Sequence, residues 1–256
     1  MKNSEEYNDP LLYDQENGLF QGEIPYLLQW ASQTDGPIID LACGTGRATI
    51  PLAMKGHHLI GVDVHRGMLD LARKKSAELG LQIDWVEQDC RRLSLSVKSK
   101  FMFSVGNSFQ HFLTNEDQDA FLSSVNKHLE SGGLFVFGTR FPNGEELLQP
   151  ANEEYWKTYN DPDNQNKVDV YTISRYDSIS QVQHYTTIRK FYDQEGKQID
   201  EKRTNIELRY VFPREMDRIL SSNGLEIVNI YSDWKETPIT CDSHEMVYVC
   251  RKVREV

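Results

Sequence analysis

From Pro37 to Arg140, short β-branched and aromatic runs alternate with stretches whose apolar residues recur at helical spacing, the pattern of βαβ units that build a parallel sheet. Strands are expected at Ile38 to Leu41, Leu59 to Val64, Ile83 to Glu87, Phe101 to Val105 and Leu134 to Thr139. Helices are expected between them, at about Arg47 to Lys55, Gly67 to Leu79 and Glu116 to Leu129. The third should open behind the cap and early acids of Thr114-Asn115-Glu116-Asp117 and stop at Ser131-Gly132-Gly133.

After Arg140 the period changes. Pro142 to Asp163 is rich in Asn, Glu, Pro and Asp and reads as irregular. Three long alternating stretches follow, Val168 to Tyr176, Gln181 to Tyr192 and Gln198 to Tyr210, broken at Asp177-Ser178 and at Asp193-Gln194-Glu195-Gly196. They predict a three-stranded antiparallel sheet inserted into an α/β domain. A helical pattern returns at Pro213 to Ser222 and stops at Asn223-Gly224; the last runs, Leu225 to Ser232 and Glu245 to Arg251, are expected to rejoin the main sheet.

Composition narrows the function classes. With 256 residues, 39% of them hydrophobic, the chain can build a full-sized core. Its formal net charge of −11, from 28 basic and 39 acidic residues, repels phosphate backbones and anionic membrane surfaces, so neither nucleic acid nor membrane is an expected partner. No stretch has the roughly 18 apolar residues of a spanning helix, and Met1-Lys2-Asn3-Ser4-Glu5-Glu6 lacks the apolar core of a signal peptide, so a cytoplasmic location is expected. Cys43, Cys90, Cys241 and Cys250 form no C-x-x-C pair and no zinc spacing; they are read as reduced thiols, and no metal is expected.

The most informative stretch is Ile38-Ile39-Asp40-Leu41-Ala42-Cys43-Gly44-Thr45-Gly46-Arg47, a strand that feeds a glycine turn opening a helix. Glycines there let the backbone bend sharply and approach a ligand. Asp63 follows at the tip of the next strand, in Gly61-Val62-Asp63-Val64, where a carboxylate can accept from both hydroxyls of a ribose. The nicotinamide fingerprint G-x-G-x-x-G fails at its third glycine, which is Thr49 here.

The stretch instead resembles motif I of the class I S-adenosylmethionine-dependent methyltransferases, E/D-x-G-x-G-x-G, with Asp40 as the leading acid, Ala42 in place of the first glycine, and Gly44 and Gly46 as the other two. In that family the leading acid lies near the cofactor's ammonium. The resemblance implies that Asp63 is the ribose acid with Val64 beside it, that Met68 lies against the adenine, and that Asp89, followed by Cys90, accepts from the adenine amine. It implies a doubly wound, seven-stranded Rossmann-like sheet in the order 3-2-1-4-5-7-6. Residues 1–141 and 211–256 would form the cofactor-binding domain with an N-terminal helical cap, and residues 142–210 an inserted antiparallel β lid that selects the acceptor. Arg47 can pair with the cofactor carboxylate or stand as an exposed helix residue, and both readings stay open.

The methyl acceptor is expected beyond the fourth strand, at Val105-Gly106-Asn107-Ser108-Phe109-Gln110-His111. Gly106-Asn107-Ser108-Phe109 departs from the N/D-P-P-Y of amino-methyltransferases acting on DNA or protein glutamine, and is similar to the loop of small-molecule enzymes related to glycine and sarcosine N-methyltransferases. This implies methyl transfer to N or O of a small-molecule acceptor by in-line displacement, which asks for alignment and desolvation rather than a triad. His111 is the candidate base, with packing as its alternative; Asn107 shares its loop. Arg140 can anchor an anionic group of the acceptor or bridge to the insert. Tyr13 can reach the sulfonium or anchor the leading helix. A non-catalytic S-adenosylmethionine-binding protein and an RNA or protein methyltransferase are the rival readings, and a monomer or a homodimer is expected.

Overall fold

The computed structural model describes residues 3–161 and 164–256. Met1-Lys2, which open the stretch read for a leader, and Pro162-Asp163, which end the segment read as irregular, lie outside the described residues. Two compact units separate: residues 7–143 with 211–256, and residues 1–6 with 144–210.

In the first unit, β1 (Ile38–Leu41), β2 (Leu59–Asp63), β3 (Asp84–Glu87), β4 (Ser99–Ser104) and β5 (Leu129–Arg140) pair in parallel, while β10 (Leu225–Tyr231) and β11 (Glu245–Lys252) add antiparallel. The order β3-β2-β1-β4-β5-β11-β10 is the expected one. Helices α1 (Pro10–Asn17) and α2 (Ile24–Ala31) precede the sheet; α3 (Thr49–Met54), α4 (Arg66–Glu78) and α5 (Asn115–His128) connect its strands, and α7 (Pro213–Ser222) precedes β10.

Strand alternation splits the core between the two sheet faces. Ile39, Leu41, Met102, Phe135 and Phe137 pack with Phe121, Leu122 and Val125 of α5 and Met216 and Leu220 of α7. Ile38, Phe101, Phe103, Val136 and Val247 pack with Ile24, Tyr26 and Leu27 of α2 and Ala48, Leu52 and Ala53 around α3.

α5 spans the expected stretch to within one residue at each end, but the glycines that mark its stop do not form the cap. It stops at His128, and Ser131-Gly132-Gly133 fall inside β5, where the register against β4 shifts between Ser99 and Phe101. The buried Lys252 of β11 donates to the carbonyls of Asn126 at 2.7 Å and Leu129 at 2.9 Å, so a distant ammonium satisfies the helix end that a glycine cap would otherwise serve.

The second unit carries α6 (Gly144–Leu147) and a four-stranded antiparallel sheet, β6 (Glu154–Asn160), β7 (Lys167–Asp177), β8 (Val182–Tyr192) and β9 (Gln198–Arg209), in that order. β6 corrects the reading of 142–163 as irregular throughout. An edge strand with almost no buried face carries no alternation to read; pairing with β7, Tyr155 opposite Tyr171, defines it. The opposite edge, β9, is covered by the chain's first residues. Glu207 N donates to Asn3 Oδ1 at 2.8 Å and Asn205 N to Glu5 Oε2 at 2.9 Å. Such cover removes free edge donors that could pair with another chain.

Candidate active site

The turn after β1 takes three left-handed residues, Ala42 (φ 56°), Gly44 (φ 56°) and Gly46 (φ 79°). Gly46 also has no room for a side chain, since a Cβ there would lie 2.7 Å from the Trp85 ring. Ala42 does keep the turn, at the cost of an L-residue in a conformation that glycine adopts freely.

Two acids flank this turn in different states. Asp63, at the tip of β2, accepts from Gly44 N at 2.8 Å and from His65 N at 2.7 Å, so its carboxylate pins the turn to the start of α4. Burial outweighs those hydrogen bonds and pushes its pKa up. Asp40 is fully buried; Thr49 Oγ1 donates to its Oδ2 at 2.6 Å, while its Oδ1 has no partner among the described residues. Burial pushes Asp40 up to about 8, Asp63 and Glu23 add to the rise, and Thr49 and Arg47 oppose it. A buried carboxylate oxygen without a donor is costly, which is why the carboxyl holds its proton up to about pH 8.

Met68 is buried, its Cε 3.4 Å from where a Cβ on Gly44 would stand, which puts the thioether beside the turn. Cys90 is buried near the Ala42 backbone, and burial pushes its thiol far up. Asp89 accepts from Arg91 N at 2.9 Å and is gripped by the Arg91 guanidinium, which also reaches Asp117 at 2.6 Å; the hydrogen bonds from Arg91 hold Asp89 below the ordinary range. Val64 is 41% exposed. Arg47 donates to the Phe20 carbonyl at 2.7 Å and pairs with Glu23, which is 1% exposed, so its guanidinium ties the α1–α2 connection to the turn. Of its two readings, the exposed helix residue is excluded.

On the β4 side, Val105 is buried and Gly106 (φ 69°) and Asn107 (φ 59°) are both left-handed. Asn107 Oδ1 is buried without a partner among the described residues. A strained asparagine holding an idle acceptor marks a position kept for something other than packing. His111 closes the 3-10 turn Ser108–His111; its Nε2 lies 2.8 Å from the Tyr7 hydroxyl, and burial pushes it down to about 4. Tyr7 in turn meets Tyr13 edge-on at 5.3 Å. Arg140 ends β5 directly opposite Glu245 of β11, and its backbone N donates to Gln110 Oε1 at 3.4 Å.

Five further residues of this region carry no motif. Tyr7 touches His111 across 104 positions. Asp14 anchors α1, accepting from Lys75 Nζ at 2.8 Å and from the Thr45 hydroxyl, and takes the anchoring task weighed for its neighbour Tyr13. Glu23 meets Arg47, Thr49 meets Asp40, and Trp85 roofs Gly46. Asp14, adjacent to Tyr13, and Thr49, at the place of the missing third glycine, had a signal within reach. A groove of about 600 Å³ lies at the amino ends of β2 and β3, lined by His58, Asp84 and Val97 among others; of the groups above it shares Trp85.

Residues 38–133 match a family model described as a methyltransferase domain. The cypemycin N-terminal methyltransferase of a Streptomyces species is 28% identical over 234 residues, covering 88% of this chain and 89% of its own length. Among solved structures, the CcbJ methyltransferase of Streptomyces caelestis superposes with a TM-score of 0.77 at 25% identity, over 91% of this chain and 90% of that one. A methyltransferase of Clostridium acetobutylicum described as S-adenosylmethionine-dependent shares the fold, with a TM-score of 0.78 at 19% identity over 94% of this chain and 96% of that one. Among the described residues no helix is long and apolar enough to cross a membrane, and no cluster of His, Cys, Asp and Glu could hold a metal. Residues 38–133 thus match a methyltransferase domain, and the chain as a whole has the fold of S-adenosylmethionine-dependent methyltransferases.

Proposed function

We propose that the chain methylates an amine of a small-molecule acceptor. The carrying observation is the fully buried Asp40 oxygen that lacks a donor beside the glycine turn. An ammonium is the complement of that atom, and the methyl donor's amino acid end carries one. Gly44, Gly46, Asp63 and Met68 would hold the adenosyl part, with Asp89 and Cys90 at the next strand tip and Val64, Val105 and Gly106 along its border. Arg47, held by Glu23, would face the donor's carboxylate only by leaving or sharing that partner.

S-adenosylmethionine supplies a methyl group on a sulfonium, activated towards displacement without acid catalysis. The chain's residues therefore have to align and dry the acceptor. His111, held low by burial, is neutral at pH 7 and too weak to deprotonate an ammonium; it can accept or pass on a hydrogen bond with Tyr7. Asn107 Oδ1 would accept from the acceptor's N–H. Tyr13 supports this pair through its ring, and Arg140 would meet an anionic group of the acceptor. Residues 142–210 would act as the acceptor-selecting lid of a domain formed by 1–141 and 211–256. Nitrogen is favoured over oxygen by the relative named for N-terminal methylation, which also supports a peptide N-terminus as a second class of acceptor.

Calorimetry with S-adenosylhomocysteine, followed by labelled methyl transfer from S-adenosylmethionine into a metabolite extract, tests the reading. Saturable binding and a labelled amine are expected. Binding without transfer to any amine, phenol or peptide would indicate a cofactor-binding protein instead.

A further inference from the structure

On the sheet face covered by α2, a second set of carboxyl groups has no task in the donor site. Glu245 opens β11, and the Trp234 indole donates to its Oε1 at 2.9 Å; among the described residues this is its one hydrogen bond. Gly138 of β5 makes the arrangement possible, because a Cβ there would lie 2.8 Å from the Trp234 ring and 3.0 Å from Glu245 Oε1. Glu23, at the start of α2, gives Oε1 to Arg47 and leaves Oε2 buried with no partner among the described residues. The Arg47 guanidinium extends to Gly106, its Nη2 3.8 Å from where a Cβ would stand, so this group borders the loop that ends in His111.

The charged groups in electrostatic reach of Glu245 are Glu23, which precedes α2, Asp233 beside Trp234, and Arg140, its cross-strand neighbour on β5. Burial pushes Glu245 up to about 7; Glu23 and Asp233 push the same way, and Trp234 and Arg140 oppose them. Glu23 also raises Asp40, which places it in electrostatic reach of both acids. The surroundings are aromatic, with Tyr26 meeting Trp234 and Tyr231 edge-on at 6.2 Å each. Two carboxyl groups in reach of each other in such a setting, Glu23 paired with Arg47 through one oxygen only and with no donor to the other among the described residues, favour a cation that joins them.

We infer that Glu245 and Glu23 form a subsite for a cationic nitrogen of the acceptor, with Trp234 and Gly138 orienting the Glu245 carboxylate. The inference rests on the amine-methyltransferase reading above and narrows it to acceptors that carry a positive charge on binding. Asp40 serves the donor's ammonium; Glu245 and Glu23 serve the acceptor's. Arg140, opposite Glu245, then limits the subsite to one cation and suits an acceptor with an anionic group next to its amine.

The test uses the full chain, with and without saturating S-adenosylhomocysteine, and compares binding of benzylammonium and benzyl alcohol at neutral pH by ligand-observed NMR titration. Wild type is expected to prefer the cation by about tenfold, the scale of one hydrogen bond to a charged partner. Glu245→Gln, which keeps shape and can still face Trp234, is expected to lose most of that preference with unchanged S-adenosylhomocysteine affinity; Glu245→Asp should retain part of it. Equal binding of the two probes to wild type, no saturable binding of either, or an unchanged preference in Glu245→Gln each overturns the inference. Failure to bind S-adenosylhomocysteine would sink the methyltransferase reading, while the arms without it would still read the subsite.

Discussion

The turn after β1 and the four-stranded sheet treat charge in opposite ways. In the sheet, ionised groups are matched. Glu6 and Arg189 meet at 2.8 Å with both side chains largely buried, Thr204 bonds to each, and Asp169 takes Lys167 and Thr158. Around the turn, Asp40 and Glu23 are buried with an oxygen each left over, and Asp40 is held far above the carboxylate range. One region pairs these buried charges within the chain, although Gln183 Oε1 has no hydrogen-bond partner among the described residues. The other holds acceptors in excess, which is the signature of a surface completed by something else.

The largest effect should come from unbalancing the settled region. Arg189→Ala leaves Glu6 buried without its cation, and loss of one partner of a buried pair costs about 3–5 kcal/mol. Urea unfolding should show it, and Glu6→Gln combined with Arg189→Met should recover most of the loss. Acid should act in the same direction. Burial would raise Glu6, but Arg189, Thr204 and Thr187 outweigh it and hold it low, so its contribution is present above the unfolded carboxyl pKa and fades as pH falls through the folded one.

At the turn the first expectation concerns Asp63. Its substitution by alanine strips Gly44 N and His65 N of their acceptor and should weaken S-adenosylhomocysteine binding by about tenfold, since a buried donor left unsatisfied costs roughly 1–3 kcal/mol. Calorimetry reads this directly, and an affinity within twofold of wild type would remove Asp63 from the site.

Asp40→Asn should separate stability from binding. A folded pKa raised to about 8 means that the folded chain keeps a proton the unfolded chain loses near pH 4. Stability from this group is therefore full below that pH and drains away as pH climbs towards 8, with Glu245, raised to about 7, adding to the slope. The asparagine variant should flatten the profile and melt higher at pH 8, by about 2–4 °C for each kcal/mol recovered. It should also bind S-adenosylhomocysteine less tightly. Higher stability with unchanged affinity would make Asp40 a purely structural strain.

The contrast also explains what could be read without coordinates. The residues of the turn were legible, since the glycines, Asp40 and Asp63 are local to strand tips, and the strand order was legible through the family resemblance that the turn carries. The capping of α5 was not, because Lys252 reaches the helix end from the far end of the chain. Nor was β6, whose pattern lacks a buried face. At the candidate site, the meetings of His111 with Tyr7 and of Arg47 with Glu23 join residues whose separate neighbourhoods contain no hint of each other. What escapes is long-range pairing of single side chains, and burial itself, which turned Asp40 and Glu23 from ordinary acids into unsatisfied ones.

The smallest expected effect tests whether the turn stores strain on its own account. Ala42 stands at φ 56°, where an L-residue pays roughly 1–2 kcal/mol relative to a right-handed conformation and glycine pays none. Against that gain, glycine loosens the unfolded chain by about 0.4–1 kcal/mol. Ala42→Gly should therefore stabilise by about 0.5–1 kcal/mol, a rise of roughly 1–4 °C in Tm. The Asp63 and Asp40 contacts lie outside the substituted side chain, so S-adenosylhomocysteine affinity should change by less than about twofold. A loss of stability would show that the Ala42 methyl packs usefully against its surroundings. A large gain in affinity would show that the alanine holds the turn away from its binding shape, and that strain as well as unmatched charge separates this region from the sheet.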